Sequence, residues 1–329
     1  MKLSKKEIIK ILGNWDIGKI KGIKKAKLGL VNHNWLIQTD KGKFVLRGVS
    51  KDRKIKQLEF ELNYLLKLQK KFNYKIPTPI PTKNNKYLVK VKNNNLWLYK
   101  FIEGKVLWQF DKPKLKKAAK MIADYHKVLE KLRMRHKKLS DPLLQKQLLN
   151  EANSNIKKIK KKKIISKADK IYLKEIIKLK TLIKNLKDKK CKKLKQYSIH
   201  RDLGPENILW KNNKISGVID FENVGLNNDV LVKDLAIFMQ RAITSDLGIL
   251  NLKKARYFVK EYLKLKKLSK NEIELIPDFI IASFIDDANY SYWLIVNDPK
   301  RSKTKWIIEN SNGARWFYNN RDKIIRGLK

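Results

Sequence analysis

The sequence predicts an α+β protein with a smaller, strand-rich N-terminal part, residues 1–104, and a larger, mostly helical part, residues 105–329. Three observations lead there. Between about residues 18 and 102, short alternating or apolar runs recur between turn signals, with one helical period among them. From residue 114 onward, apolar residues return at spacings of three and four over long stretches. The helical part is broken at 197–221 by short strands whose loops carry Asp202, Asn207 and Asp220.

Residues 3–14 place Ile8, Ile9, Ile11 and Leu12 behind Ser4, a capping residue, and predict a short helix. Strands are expected over 18–27, in the second half of 28–39, and over 43–47 after the Asp40-Lys41-Gly42 turn. Gln57 to Leu68 (QLEFELNYLLKL) is an amphipathic helix. Ile76-Pro77-Thr78-Pro79-Ile80-Pro81 has to be extended, because repeated proline removes helical donors and pushes each preceding residue out of the α region. Strands follow over 86–91 and 96–102, split by the Asn93-Asn94-Asn95 turn. Helices are expected over 114–135 and, as two patterns joined by IKKIKKKK, within 143–194. The lysine-rich stretch 157–195 keeps Ile171, Ile176, Leu179, Leu182 and Ile183 at helical spacing, which predicts solvated helix with one buried face. Further helices are expected over 230–244, 252–265 and 271–296, and over 303–325 with an interruption near Gly313.

The chemistry concentrates between Tyr197 and Ala236. Asp202 follows a short apolar strand, Asn207 comes five residues later, and the strand 215–221 closes on Asp220. A carboxylate, an amide oxygen and a second carboxylate thus fall on loops beside adjoining strands. Asn207 and Asp220 offer the hard oxygen ligands that Mg²⁺ takes when phosphates fill its other positions. Asp202 is placed to orient and deprotonate an attacking hydroxyl. A lone Asp at a strand end is usually a turn or cap residue; the three together at this spacing carry the reading. Asp234 is expected to cap the helix that begins near it.

His200-Arg201-Asp202 with Asn207, followed by Asp220-Phe221, matches the pattern H-R-D-x-x-x-x-N and a later Asp-Phe strand end. In detail, Ile219-Asp220-Phe221-Glu222 and Asp234-Leu235-Ala236 resemble the aminoglycoside phosphotransferase and choline kinase family. A protein kinase would carry Gly after Phe221 and a later A-P-E, and this chain has neither. The resemblance runs from about residue 16 to 325. It implies a two-lobe protein-kinase-like fold, with a small antiparallel-sheet nucleotide-binding lobe over 1–104 and a helical catalytic and acceptor-binding lobe over 105–329. It also implies transfer of the ATP γ-phosphoryl group to a hydroxyl of a small molecule. Asp202 would then be the catalytic base, Asn207 and Asp220 the Mg²⁺ ligands, and His200 a brace for the loop.

Further roles follow from the same resemblance. Arg47, ending KFVLR, would bind the α- and β-phosphates and be set by Glu59, with Glu61 in reserve. Asn32 and Asn34 would hold phosphate oxygens in a turn with one glycine, Gly29. Tyr99 to Phe101 would read the adenine edge before a hinge at Gly104. The C-terminal helices would build the acceptor site, with Asp286, Asp287 and Trp293 as its candidates. Homoserine, choline-like amino alcohols, aminosugars and other sugars all stay open as acceptors. Plainer readings stand beside these: an ordinary hairpin turn, a solvated Arg47, exposed helix carboxylates paired with lysines, a packed helix histidine at His126, and core aromatics.

The chain has 329 residues, one cysteine and a formal charge of +47. That size suits two lobes, and a single Cys191 excludes a disulfide scaffold or a cysteine-rich zinc site. The N-terminus lacks the apolar run of a signal peptide and no stretch approaches bilayer length, so a cytoplasmic protein is expected. The charge admits a polyanion partner, nucleic acid or an anionic membrane surface. Lysines spread over nearly every segment, with abundant Asn and Ile, fit the coding bias of an AT-rich genome and favour that explanation. Two rival classes remain: a protein kinase, and a non-catalytic polyanion-binding scaffold of the same fold.

Overall fold

The computed structural model describes residues 3–26, 33–49, 53–132, 134, 143, 145–191, 193–299 and 303–329. Asn32 and most of the turn from Gly29 lie outside the described residues. By compactness the chain forms two units: Met1–Val106 with Asn207–Leu226, and Leu107–Glu206 with Asn227–Lys329.

The first unit opens with α1 (Lys5–Leu12), whose Ser4 cap accepts from the Glu7 N–H while Glu7 accepts from the Ser4 N–H at 2.8 Å. Next comes an antiparallel sheet ordered β1 (Ile20–Lys25), β2 (His33–Thr39), β3 (Gly42–Gly48), β5 (Asn94–Lys100), β4 (Val89–Val91). Side chains alternate across β3. Phe44 and Leu46 join Ile37, Leu96, Leu98 and the apolar side of α1 in one core, and Val45 and Arg47 point to the opposite face. On that face lies α2 (Ile55–Gln69). Arg47 sits in register between Asn34 on β2 and Trp97 on β5, so the middle of the sheet fixes its backbone.

Residues 207–226 complete this unit. β8 (Ile208–Lys211) and β9 (Lys214–Val218) form a hairpin, and β8 also pairs with β6 (Lys105–Val106). Gly104 allows that pairing. Its φ is +155°, and a Cβ there would lie 2.5 Å from the Ser216 Oγ and 2.9 Å from the Leu209 Cβ. A single turn of 3-10 helix, 222–225, then packs on α2.

The second unit is helical: α3 (Lys112–Lys131), α4 (Gln145–Lys160), α5 (Lys167–Lys184), α6 (Asp188–Cys191), α7 (Leu231–Ile243), α8 (Leu252–Leu263), α9 (Lys270–Asn297), α10 (Thr304–Asn319) and α11 (Arg321–Leu328). A two-stranded ribbon, β7 (Gln196–Tyr197) with β10 (Asp229–Val230), anchors the loop that follows β7. The α+β class is as expected: strands first, helices after. Three local expectations change. The lysine-rich joint is largely helix, since α4 runs on to Lys160 and α5 starts at a Ser166 capping box. Gly313 interrupts nothing, and the break comes at Asn320. A Cβ at Gly313 would lie 2.7 Å from the Phe284 ring, so this glycine lets α10 approach α9 closely. Asp234 is not a cap; Val230 caps α7, and Asp234 lies buried in the first turn. Among the described residues, no helix is long and apolar enough to cross a membrane.

Candidate active site

In the first unit Asn34, Tyr99 and Asp220 lie around Arg47. Its side chain is 5 % exposed, and one guanidinium nitrogen, Nη2, donates to Asp220 at 2.9 Å and to Glu222 at 3.0 Å. Burial alone would lower the Arg47 pKa; Asp220, Glu61 and Glu222 reverse that and hold it above its ordinary value. The α2 carboxylate facing this group is Glu61, fully buried, and not Glu59, which is exposed. Glu61 shares the buried face of α2 with Leu58, Leu62, Leu65 and Leu68. It pairs with Arg53 at 2.5 Å, and Arg53 also donates to the Glu222 carbonyl at 2.6 Å. Burial raises the Glu61 pKa and Glu222 adds to the rise, against the pull of Arg53 and Arg47.

Backbone geometry brings Asn207 and Asp220 together. Asn207 ends a short 3-10 turn, Pro205–Asn207, and its carbonyl accepts from the Ile219 N–H at 2.9 Å, one residue before Asp220. Asp220 itself has φ +66°, a left-handed conformation that non-glycine residues seldom adopt. Its neighbour Phe221 is fully buried against Tyr64 of α2, which pins the turn. Asn34 is on β2 opposite Arg47. Tyr99 lies beside the same charges, its phenol pushed up to about 12, chiefly by burial. The Phe101 N–H is committed to the Lys43 carbonyl at 2.9 Å and is not available to a base.

The second unit holds Asp202. Asp234 accepts from the Arg201 N–H at 2.8 Å and the His200 N–H at 3.2 Å, so one buried carboxylate grips the loop from inside. His200, also buried, takes the Asp202 N–H on Nδ1 at 3.3 Å. Arg201 has φ +65°, and its guanidinium is tied to Asp229 at 2.8 Å. His126 is buried in the same network, its Nδ1 bonded to the Tyr262 hydroxyl and its Nε2 3.6 Å from Asp234. Burial lowers the His126 pKa despite that carboxylate.

The Asp202 carboxylate is met by a residue that sequence reasoning missed. Arg241, near the end of α7, donates to Asp202 Oδ1 at 2.6 Å and also to Glu206. Burial would lower its pKa, and Asp202, Asp287 and Glu206 keep it raised. Arg241 stands seven residues after Asp234, so both project from one face of α7 toward the loop. Asp287 on α9 accepts from Gln240 at 2.8 Å, and burial raises its pKa. Asp286 beside it is raised to about 6, by burial first and then by Asp287 and Glu151. Ser283, Asp286, Asp287, Tyr290 and Trp293 recur at helical spacing on one face of α9. Tyr290 and Trp293 are exposed and stacked, 5.7 Å between ring centres and 11° between planes.

The two halves can do different chemistry. Asp220 and Glu222 converge on a single cationic nitrogen, so a divalent cation and phosphate oxygens fit the donors of the first unit, with Asn207 as a neutral oxygen ligand. Among the described residues, no three His, Cys, Asp or Glu side chains are grouped to hold a metal ion. An ion here would therefore need an amide and phosphate oxygens to fill its shell. The second unit presents a carboxylate oriented by an arginine, with two more carboxylates and an aromatic pair along α9.

Comparison with known proteins bears on the family and the fold. A sequence profile of the phosphotransferase enzyme family matches residues 22–265. The homoserine kinase of Rhizobium meliloti (strain 1021) is 22 % identical over 275 residues, covering 84 % of this chain and 80 % of its own. Among solved structures, spectinomycin phosphotransferase in its AMP-bound complex aligns with a TM-score of 0.71 at 14 % identity, over 96 % of this chain and 99 % of that one. Amicoumacin kinase in a complex with AMP-PNP and Ca²⁺ aligns at 0.66 and 13 % identity, over 98 % and 94 %. These likenesses show the protein-kinase-like fold.

Proposed function

This chain belongs to the phosphotransferase enzyme family and is a small-molecule kinase, moving a phosphoryl group to an alcohol hydroxyl; from that premise we propose the donor, the roles of its residues and the class of acceptor. The donor is ATP, with Mg²⁺ as its counter-ion. Arg47, placed by Asp220, Glu222 and Glu61, grips the phosphates. Asn207 and Asp220 are the residues that would hold Mg²⁺, which neutralises phosphate charge when bound. Asp202, oriented by Arg241, takes the proton from the acceptor hydroxyl. The hydroxyl oxygen bonds to the γ-phosphorus as the bond to the β-phosphate oxygen breaks, and ADP leaves. Positioning and charge neutralisation supply most of the rate.

The acceptor is an alcohol that also bears an ammonium group, in the range of homoserine and simple amino alcohols. The observation that carries this is the acidic strip of α9. In a molecule of formal charge +47, Asp286 and Asp287 stand on the helix face that leads from the Asp202–Arg241 pair to the stacked Tyr290 and Trp293. Carboxylate and aromatic faces together favour a cation. The homoserine kinase relative is in keeping with that class.

The test is ADP release from MgATP across homoserine, choline, ethanolamine, aminoglycosides and neutral sugars. Turnover is expected with amine-bearing alcohols, and Asp202→Ala should lower it by about 10²–10⁴-fold. Equal turnover of neutral sugars would sink the acceptor assignment. Full activity of Asp202→Ala would sink the assignment of the base.

A further inference from the structure

The connection between α4 and α5, which contains none of the active-site residues, carries an unusual surface. From 157 to 167 the chain reads KKIKKKKIISK, seven lysines in eleven residues and no acid. Lysines alone distinguish nothing in so basic a chain. The distinguishing feature is the pair at the tip: Ile164 is 85 % exposed, more than any other large apolar side chain among the described residues, and Ile165 is 42 % exposed. Both are held out by fixed structure on either side. Lys162 is clamped on Asp169 at 2.7 and 2.9 Å, and Ser166 is locked in its capping box with the same carboxylate. Tyr292 of α9 donates to Asp169 as well, at 2.6 Å, which ties the turn to the helical core. Asp169 is itself buried, so its charge is spent inward and the surface outside remains cationic.

We propose that this turn docks the protein on an anionic lipid bilayer: Ile164 and Ile165 enter the interface, and Lys157, Lys158, Lys160, Lys161, Lys163 and Lys167 lie over acidic headgroups. Paired apolar residues ringed by lysines match the two requirements of a reversible membrane anchor, apolar burial and headgroup attraction. Nucleic acid fits less well, because the tip has neither arginine nor an aromatic ring to stack on bases. A second copy of the chain would bring like charges together.

The experiment is flotation of the full-length protein with phosphatidylcholine vesicles, with and without phosphatidylglycerol, at low and raised salt. The expected result is binding only to the anionic vesicles, weakened by salt. The double substitution Ile164→Ser with Ile165→Ser keeps every lysine and touches no catalytic group. It should reduce partitioning about tenfold and leave kinase turnover unchanged. A polarity-sensitive fluorophore on Ile164→Cys should shift to the blue on the same vesicles. Equal partitioning of parent and double variant would mean that diffuse charge does the binding, and would overturn the proposal. So would a fluorophore that stays aqueous, or a double variant that loses affinity for a single-stranded RNA oligonucleotide while its vesicle binding is intact.

Discussion

At the scale of single residues, the proposed catalytic loop has a local signal: Asp202, Asn207 and Asp220 fall within nineteen residues at a recognisable spacing. The partners that set those residues come from afar in sequence, and there the reading was weaker. Glu61 could have been preferred to Glu59 from helical phase alone, since Leu58, Leu62, Leu65 and Leu68 already mark the buried face of α2. Arg241 had only one signal, its position two turns after Asp234. The proposed mechanism makes it a positioning residue: Arg241→Ala should lower kcat by about 10–100-fold with little change in the KM for ATP, because a misplaced base costs rate more than binding. Arg241→Lys should recover part of the loss. Asp286 carries a prediction in pH. Its pKa is raised to about 6 in the folded state, from 3.8, so the folded chain binds the proton more tightly than the unfolded chain does. Its contribution to stability therefore falls as pH rises from about 4 to 6, and the cost is fully present above that. Asp286→Asn should stabilise the protein at neutral pH, on the order of 1–3 kcal/mol by urea unfolding, while raising the acceptor KM. Unchanged stability together with unchanged KM would remove both roles.

At the scale of elements, periodicity located the strands and helices, and the errors lie at boundaries and glycines. Lysine is a good helix former, so α4 runs into the lysine-rich joint as far as Lys160 before the turn that leads to α5. The sequence suggests an interruption near Gly313, whereas the use of this glycine is the missing side chain. That difference is testable. Gly313→Ala improves intrinsic helix propensity, yet it forces a methyl against the Phe284 ring. Overpacking should win, costing about 1–3 kcal/mol in urea unfolding. Stabilisation would show that α9 and α10 separate at no cost. Asp234 illustrates the same limit, since only the fold reveals that its carboxylate faces two backbone N–H groups of another loop.

For the whole molecule, strands followed by helices were enough to reach the fold class. The sequence divides at residue 104, whereas compactness places 207–226 with the N-terminal residues. The contacts that do this join residues more than a hundred apart, Lys105 with Trp210, Lys75 with Gly217 and Arg47 with Asp220 among them, and no local pattern announces them. The charge of +47 acts over the whole surface. It should make capture of the polyanionic nucleotide strongly salt-sensitive, with kcat/KM for ATP falling several-fold as ionic strength rises through the physiological range, and kcat nearly constant. A salt-independent kcat/KM would show that the phosphates respond only to Arg47 and its neighbours.

The discontinuous make-up of the first unit sets an order of events during synthesis. When residue 106 leaves the ribosome, the sheet that carries Arg47 can form, but the carboxylates of Asp220 and Glu222 have not yet been translated. The nascent sheet must wait for the next hundred residues, about 5–20 s at ordinary elongation rates, with a cationic side chain destined for burial and two of its counter-charges missing. A strand edge at β6 stays unpaired for the same interval. The N-terminal unit is therefore begun first and finished second, and a message truncated between the two segments yields a sheet that cannot neutralise its own centre.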